Sequence, residues 1–162
     1  NPENPVWRIG DTYHASIGQG NFQVTPIEMA VYTAVLANKG TMLTPRLIKD
    51  KSDSTVNIVK KVEIPEEYFD VVQKGMRMAV EIGTAHGLSD LNVKVAGKTG
   101  TAEIGKKYVN SWFIGFWPYE NPRYSITVVL EHGSPHNLIG GVYVTRQLLG
   151  WMQYNMPEYL KP

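Results

Sequence analysis

Residues 112–117 read Trp-Phe-Ile-Gly-Phe-Trp, a run with no charged or hydroxyl side chain. In a strand, successive side chains point to opposite faces. This strand therefore has two apolar faces and must be covered on both sides. The residues before it supply a neighbour. Val93, Val95 and Gly97 alternate with Lys94, Ala96 and Lys98, which predicts a strand running to about Glu103. Tyr124–Glu131, rich in β-branched residues, predicts a third strand. Turns at Gly105-Lys106-Lys107 and Asn121-Pro122 are short, so the three strands should form an antiparallel meander.

The covering layers come from helices. Thr25-Pro26-Ile27-Glu28 is a capping box with Pro at the first helical position. An apolar face of Ile27, Ala30, Val31, Ala34, Val35 and Ala37 follows, and Gly40 fits a C-cap beside Lys39. A second helix begins at Ile64-Pro65-Glu66-Glu67 and should fade between Gly83 and Gly87. Tyr68, Val71, Val72, Met76, Met78, Ala79 and Ile82 recur along it, with both methionines expected in the core. A closing helix is expected from Gly140/Gly141 to about Tyr154, with Val144, Leu148, Leu149, Trp151 and Met152 as its apolar residues and Pro157 ending it. The remaining stretches read as loops: residues 1–11, Lys49–Asn57 and Gly133–Asn137. Thr41–Ile48 reads as an edge strand at most, because Pro45 interrupts it. The fold class is α+β, an antiparallel sheet with flanking helices.

Composition removes several functions. The 162 residues carry 16 basic and 15 acidic side chains, a net charge of +1, which offers no electrostatic case for nucleic acid. With no Cys, disulfides, cysteine nucleophiles and cysteine-based zinc sites are excluded. Apolar runs such as Met29–Ala37, interrupted by Tyr32 and Thr33, and Ile126–Leu130 fall well short of the ~20 residues that cross a bilayer. Gly18-Gln19-Gly20 lacks the third glycine of a dinucleotide fingerprint, since position 23 is Gln23. Glu131-His132-Gly133-Ser134-Pro135-His136 places two histidines four apart, but Gly133 and Pro135 disfavour the helix a metal pair would need. No metal and no cofactor is expected. A triad from Ser134, His132 and Glu131 is set aside, because neighbours in a chain seldom converge and G-x-S-x-G is absent. His14 and His86 read as structural. Trp7, Trp112, Trp117 and Trp151 read as core, with a cleft wall as the second reading for Trp112, on the strand after K-T-G.

The best candidate for chemistry is Lys98-Thr99-Gly100-Thr101, late on the first strand of the meander. On an edge it presents one cation and two hydroxyls, which suit a carboxylate. Gly100 lets a ligand approach the backbone, and a free N–H near Thr101 can face an oxyanion. K-T-G is one of three motifs of the penicillin-binding proteins and serine β-lactamases. Around it stand Gly10-Asp11-Thr12, Ser16-Ile17-Gly18-Gln19-Gly20, Val24-Thr25-Pro26, Asn38-Lys39-Gly40, Ala96-Gly97, Ala102 and Trp112-Phe113-Ile114-Gly115-Phe116. In order and spacing the chain resembles the monofunctional (class B) penicillin-binding proteins, most closely the elongation type, from about Gly10 to Gln153.

That resemblance implies a serine-type peptidoglycan D,D-transpeptidase of cell-wall synthesis that is acylated by β-lactam antibiotics. Its substrate is a stem peptide ending in D-Ala-D-Ala. It implies that Lys98 sits near the nucleophile, that Thr99 and Thr101 bind the terminal carboxylate, and that the Thr101 amide forms half of the oxyanion hole. It also implies cell-elongation membrane proteins as partners. The parent would be anchored in the bacterial cytoplasmic membrane with this domain in the periplasm or outside the cell. The family's other two motifs are missing. Ser16, Ser52, Ser54, Ser89, Ser111, Ser125 and Ser134 have no Lys three residues on and no Asn two residues on. Ser89-Asp90-Leu91 only approximates S-D-N, and Tyr119-Glu120-Asn121 follows K-T-G where the family places such a motif before it. Residues 1–162 are thus expected to be the C-terminal portion of a transpeptidase domain, inactive alone, with nucleophile, pedestal and anchor upstream. Two alternatives stay open on the sequence. One is a non-catalytic β-lactam sensor or scaffold of the same fold. The other, a class D-type β-lactamase, is disfavoured by residues 16–40. A strand from the N-terminal side would pair with Tyr124–Glu131 in the family. Without it, that strand is expected to expose an edge open to self-association.

Overall fold

The computed structural model describes residues 6–20, 22–48, 58–105, 107–136 and 139–161. The loop expected at Lys49–Asn57 lies outside the described residues. The meander is present. Strands β3 (Ala96–Ile104), β4 (Tyr108–Trp117) and β5 (Tyr124–Gly133) form an antiparallel sheet in the order β3-β4-β5. β1 (Thr41–Leu43) and β2 (Ile58–Lys61) pair separately as a small antiparallel ribbon. The helices are α1 (Ile9–Ser16), α2 (Pro26–Ala37), α3 (Glu66–Glu81) and α4 (Gly141–Asn155).

Both faces of β4 are covered, as its composition demands. On one face Phe113 and Trp117 pack with Val80 of α3, Leu88, Val93, Val95, and Leu149 and Met152 of α4. On the other, Phe116 and Ala96 pack with Ala37 of α2 and Met76 of α3. α3 contributes to both clusters because it lies against β3, and Arg77 donates to the Val95 carbonyl just before that strand at 2.8 Å. The buried Gln73 of α3 donates to the Leu36 and Ala37 carbonyls at 2.7 and 3.1 Å, satisfying acceptors at the end of α2. Two cross-strand glycines make room for the central ring. Gly97 pairs with Gly115, and a Cβ on either would come within 2.3 and 2.8 Å of Phe113. α4 begins directly over this ring. The Gly141 N–H donates to Ser111 Oγ at 3.1 Å, and a Cβ there would lie 2.8 Å from Phe113.

The capping box of α2 forms in full: Thr25 Oγ1 accepts from the Glu28 N–H, and Glu28 Oε2 accepts from the Thr25 N–H at 2.7 Å. Other expectations need correction. Residues 9–16, partly read as loop, form α1, where Asp11 caps the Arg8 N–H at 2.8 Å. The composition there is polar enough to hide a short helix. β2 gave no sequence signal, being four exposed residues that pair only through β1. The left-handed position ending α2 falls on Lys39 (φ 59°), one residue before Gly40 (φ 107°), whose N–H closes on the Val35 carbonyl at 2.8 Å. Lys39 reaches Asp70 at 2.9 Å and also pairs with Glu66. Met78 is exposed while Met76 is buried. Trp7 and Trp151, expected in the core, are exposed, as are Val144 and Leu148 of α4. α4 buries a narrow stripe through Gly141, Thr145, Leu149 and Met152, and residues off that stripe reach solvent.

Candidate functional site

β3 is an edge strand among the described residues, and Arg77 of α3 reaches the Val95 carbonyl just before it. Past the end of α3, the segment Lys98–Ala102 lies open along a cleft of about 670 Å³. Gln19, Phe22, Met29, Trp112 and Glu131 form its other walls, so Trp112, read first as core, stands half-buried at the cleft instead. The meander places these residues, because Lys98 pairs with Ile114, Gly100 with Trp112 and Thr101 with Ser111. A Cβ at Gly100 would meet only the Trp112 Cβ at 3.4 Å, an ordinary contact. Packing alone does not require glycine there, and its absence of side chain leaves the cleft open.

The polar groups converge on the strand. Lys98 Nζ donates to the Thr99 carbonyl at 2.6 Å, and no ion pair holds it among the described residues. Gln19, in the turn after α1, donates its amide to the Thr101 carbonyl at 3.2 Å. In an antiparallel ladder a residue's N–H and C=O point to the same side. A carbonyl reached from outside the sheet therefore implies an outward Thr101 N–H as well. Thr84 Oγ1 lies 2.7 Å from Thr99 Oγ1, joining the end of α3 to the same segment. The cleft thus offers an ammonium, two hydroxyls and an outward N–H, a set suited to an anionic group beside a polarised carbonyl. No serine lines it among the described residues. Ser16 donates to the Tyr13 carbonyl, and Ser111 holds the start of α4.

Sequence reasoning brought out Lys98, Thr99, Gly100 and Thr101, and the fold gathers all four on one exposed segment. It did not bring out Gln19 or Thr84 as site residues. Gln19 sits 82 residues from its partner and Thr84 15 residues from its own, separations no local pattern reports. The other motif-like stretches do structural work. Asp90, in the segment resembling S-D-N, is held below the usual carboxylate range by hydrogen bonding to Arg146 of α4. Glu120, in the Y-x-N-like segment, is lowered by its pairing with Lys94. His132 (φ 55°) meets Tyr108 edge-on, and its N–H donates to Asn110 Oδ1 at 3.0 Å. His86 Nδ1 lies 2.7 Å from the Glu81 carbonyl, tying the segment after α3 to the helix end.

Residues 3–146 match the penicillin binding protein transpeptidase domain. The peptidoglycan D,D-transpeptidase MrdA of Haemophilus influenzae is 29% identical over 93% of the chain and 28% of its own length. The MrdA of Acinetobacter baumannii is 30% identical over 78% of the chain and 22% of its own length. Among solved structures, the penicillin-binding protein PBP2 from Helicobacter pylori superposes with a TM-score of 0.76 at 30% identity, covering 94% of the chain and 28% of that protein. The chain therefore spans less than a third of the length of these relatives.

Proposed function

Because the chain belongs to the penicillin-binding protein transpeptidase-domain family, we propose that residues 1–162 are the C-terminal portion of a class B peptidoglycan D,D-transpeptidase of the elongation type. The observation that carries the reading is the open Lys98–Thr101 edge of β3, whose cation, hydroxyls and outward N–H face one cleft. In the full protein an upstream serine Oγ attacks the penultimate D-Ala carbonyl of a stem peptide. The terminal D-Ala leaves as the amine, and an amino group of a second stem peptide then takes the acyl group and frees the serine. Lys98 lies beside the nucleophile and favours its deprotonated form. Thr99 and Thr101 hold the terminal carboxylate, and the Thr101 N–H stabilises the developing oxyanion. A β-lactam enters by the same contacts and leaves the serine acylated. No cofactor or metal takes part in this scheme.

A PBP2 from Helicobacter pylori, 29% identical with a TM-score of 0.75, was solved in complex with MreC. That likeness supports a cell-elongation protein of the MreC kind as partner. A parent anchored at the cytoplasmic membrane, with this domain on its outer side, belongs to the same proposal. No helix of the described residues is long and apolar enough to cross a membrane. β5 is the other edge strand among the described residues. In the proposed portion it lacks its upstream neighbour, and the isolated chain should self-associate through it in light scattering at high concentration.

Intact-mass measurement after exposure to a penicillin tests the reading. The full-length protein should gain one acyl group and the 162-residue chain none, since a nucleophile must stand within reach of its base. Lys98→Ala in the full-length protein should slow acylation on the order of 10²-fold. A full-length protein that binds the penicillin without acylation would overturn the enzyme in favour of a sensor. An adduct on the short chain would overturn the upstream nucleophile.

A further inference from the structure

We infer that Thr84 is a positioning residue for the carboxylate subsite at Thr99, setting which way the Thr99 hydroxyl proton points. The inference rests on the function proposed above and adds a residue to it.

The geometry comes from the end of α3. The Ile82 N–H closes on the Met78 carbonyl, the Ala85 N–H on the Ala79 carbonyl at 2.9 Å, and the His86 N–H on the Gly83 carbonyl at 3.1 Å. Ala85 is fully buried, and a Cβ at Gly83 would come within 2.9 Å of the Ala79 backbone. Thr84 is therefore carried on a turn locked on either side. From that post its Oγ1 meets Thr99 Oγ1 at 2.7 Å.

A threonine hydroxyl has one proton to give and two lone pairs to receive. If Thr99 donates to Thr84, it has nothing left for an anion. If Thr84 donates to Thr99, the Thr99 proton is free. A carboxylate only accepts, so its arrival selects the chain from Thr84 to Thr99 to ligand. The first bond then strengthens the second. A mere helix-to-strand tie is the competing explanation. Arg77 and the packing of Val80 already join α3 to this end of the sheet, and Thr84 itself is exposed. A tie should affect all ligands alike, whereas a proton-orienting role should affect only those with a carboxylate.

The test uses the full-length protein and two compounds, a penicillin with its free carboxylate and the methyl ester of the same penicillin. Thr84→Val should slow acylation by the free acid about three- to tenfold. Acylation by the ester should stay within about twofold, and Thr84→Ser should restore the free-acid rate to within about twofold. Adding Thr84→Val to Thr99→Val should cost nothing more, because the bond it would remove is already gone. Equal slowing of acid and ester, or an unchanged acid rate in a folded Thr84→Val protein, overturns the inference and leaves the proposed function standing. A wild-type protein acylated by neither compound overturns both. Should Thr84→Val fail to fold, Thr84→Ala at reduced temperature makes the same acid-against-ester comparison.

Discussion

The layer between the sheet and α4 and the layer of α1 with its following turn differ sharply in how well they are packed. Val80, Val95, Phe113 and Leu149 are all 0% exposed, and the glycines opposite Phe113 leave no spare room. Ile9 and Ile17 are 73% exposed and Phe22 65%, although all three are as apolar as the core residues. An apolar groove of about 540 Å³ between α2 and the β1–β2 ribbon adds to that open surface. Hydrophobicity alone therefore does not decide burial. The first layer closes because a central strand with two apolar faces, small residues and a helix start meet at one ring. The second does not close within the described residues, which agrees with the proposal that further parts of the domain pack there.

Substitutions can break or sharpen this contrast. The largest effect should come from Phe113→Ala, which empties a fully enclosed site and should destabilise by about 3–5 kcal/mol in urea unfolding. Gly97→Ala tests the same site by overfilling it. Its Cβ would lie 2.3 Å from the Phe113 ring, and a loss of about 1–3 kcal/mol is expected by the same measurement. Thr25→Ala removes the cap of α2, on the other face of the sheet, and should cost about 1 kcal/mol. Ile17→Ser, in the open layer, should stay within about 0.5 kcal/mol. A cost above about 2 kcal/mol there would show that this layer is closed in solution and would end the contrast.

Acid gives a further expectation of smaller size. Glu28 is lowered by hydrogen bonding to Thr25, Glu120 by Lys94 and Asp90 by Arg146. A carboxylate lowered in the folded state stabilises it fully above its ordinary value, which is 4.5 for the two glutamates and 3.8 for Asp90. That contribution is lost as pH falls through the depressed value. Thermal melts should therefore be flat near neutrality with respect to these groups and decline below about pH 4.5. Because all three are at the surface, added salt should blunt the part due to Asp90 and Glu120.

Much of this molecule was legible because local rules govern it. The apolar run 112–117 demanded two covered faces, the capping box marked the start of α2, and β-branched residues marked β5. The segment Lys98–Thr101 was legible as chemistry, since its residue types suit a carboxylate wherever the chain places them. The rest depended on distances along the chain that periodicity does not measure. β2 exists through pairing with β1, Trp151 is exposed because only a narrow stripe of α4 faces the sheet, and Lys39 takes the left-handed turn next to a glycine. Local sequence thus determined the antiparallel sheet, its helical covers and the identity of the edge motif. Tertiary structure alone decided that Gln19 reaches the Thr101 carbonyl and Thr84 the Thr99 hydroxyl. The reason is physical: a hydrogen bond depends on where two groups meet in space, and side-chain patterns along a chain report only which groups are available.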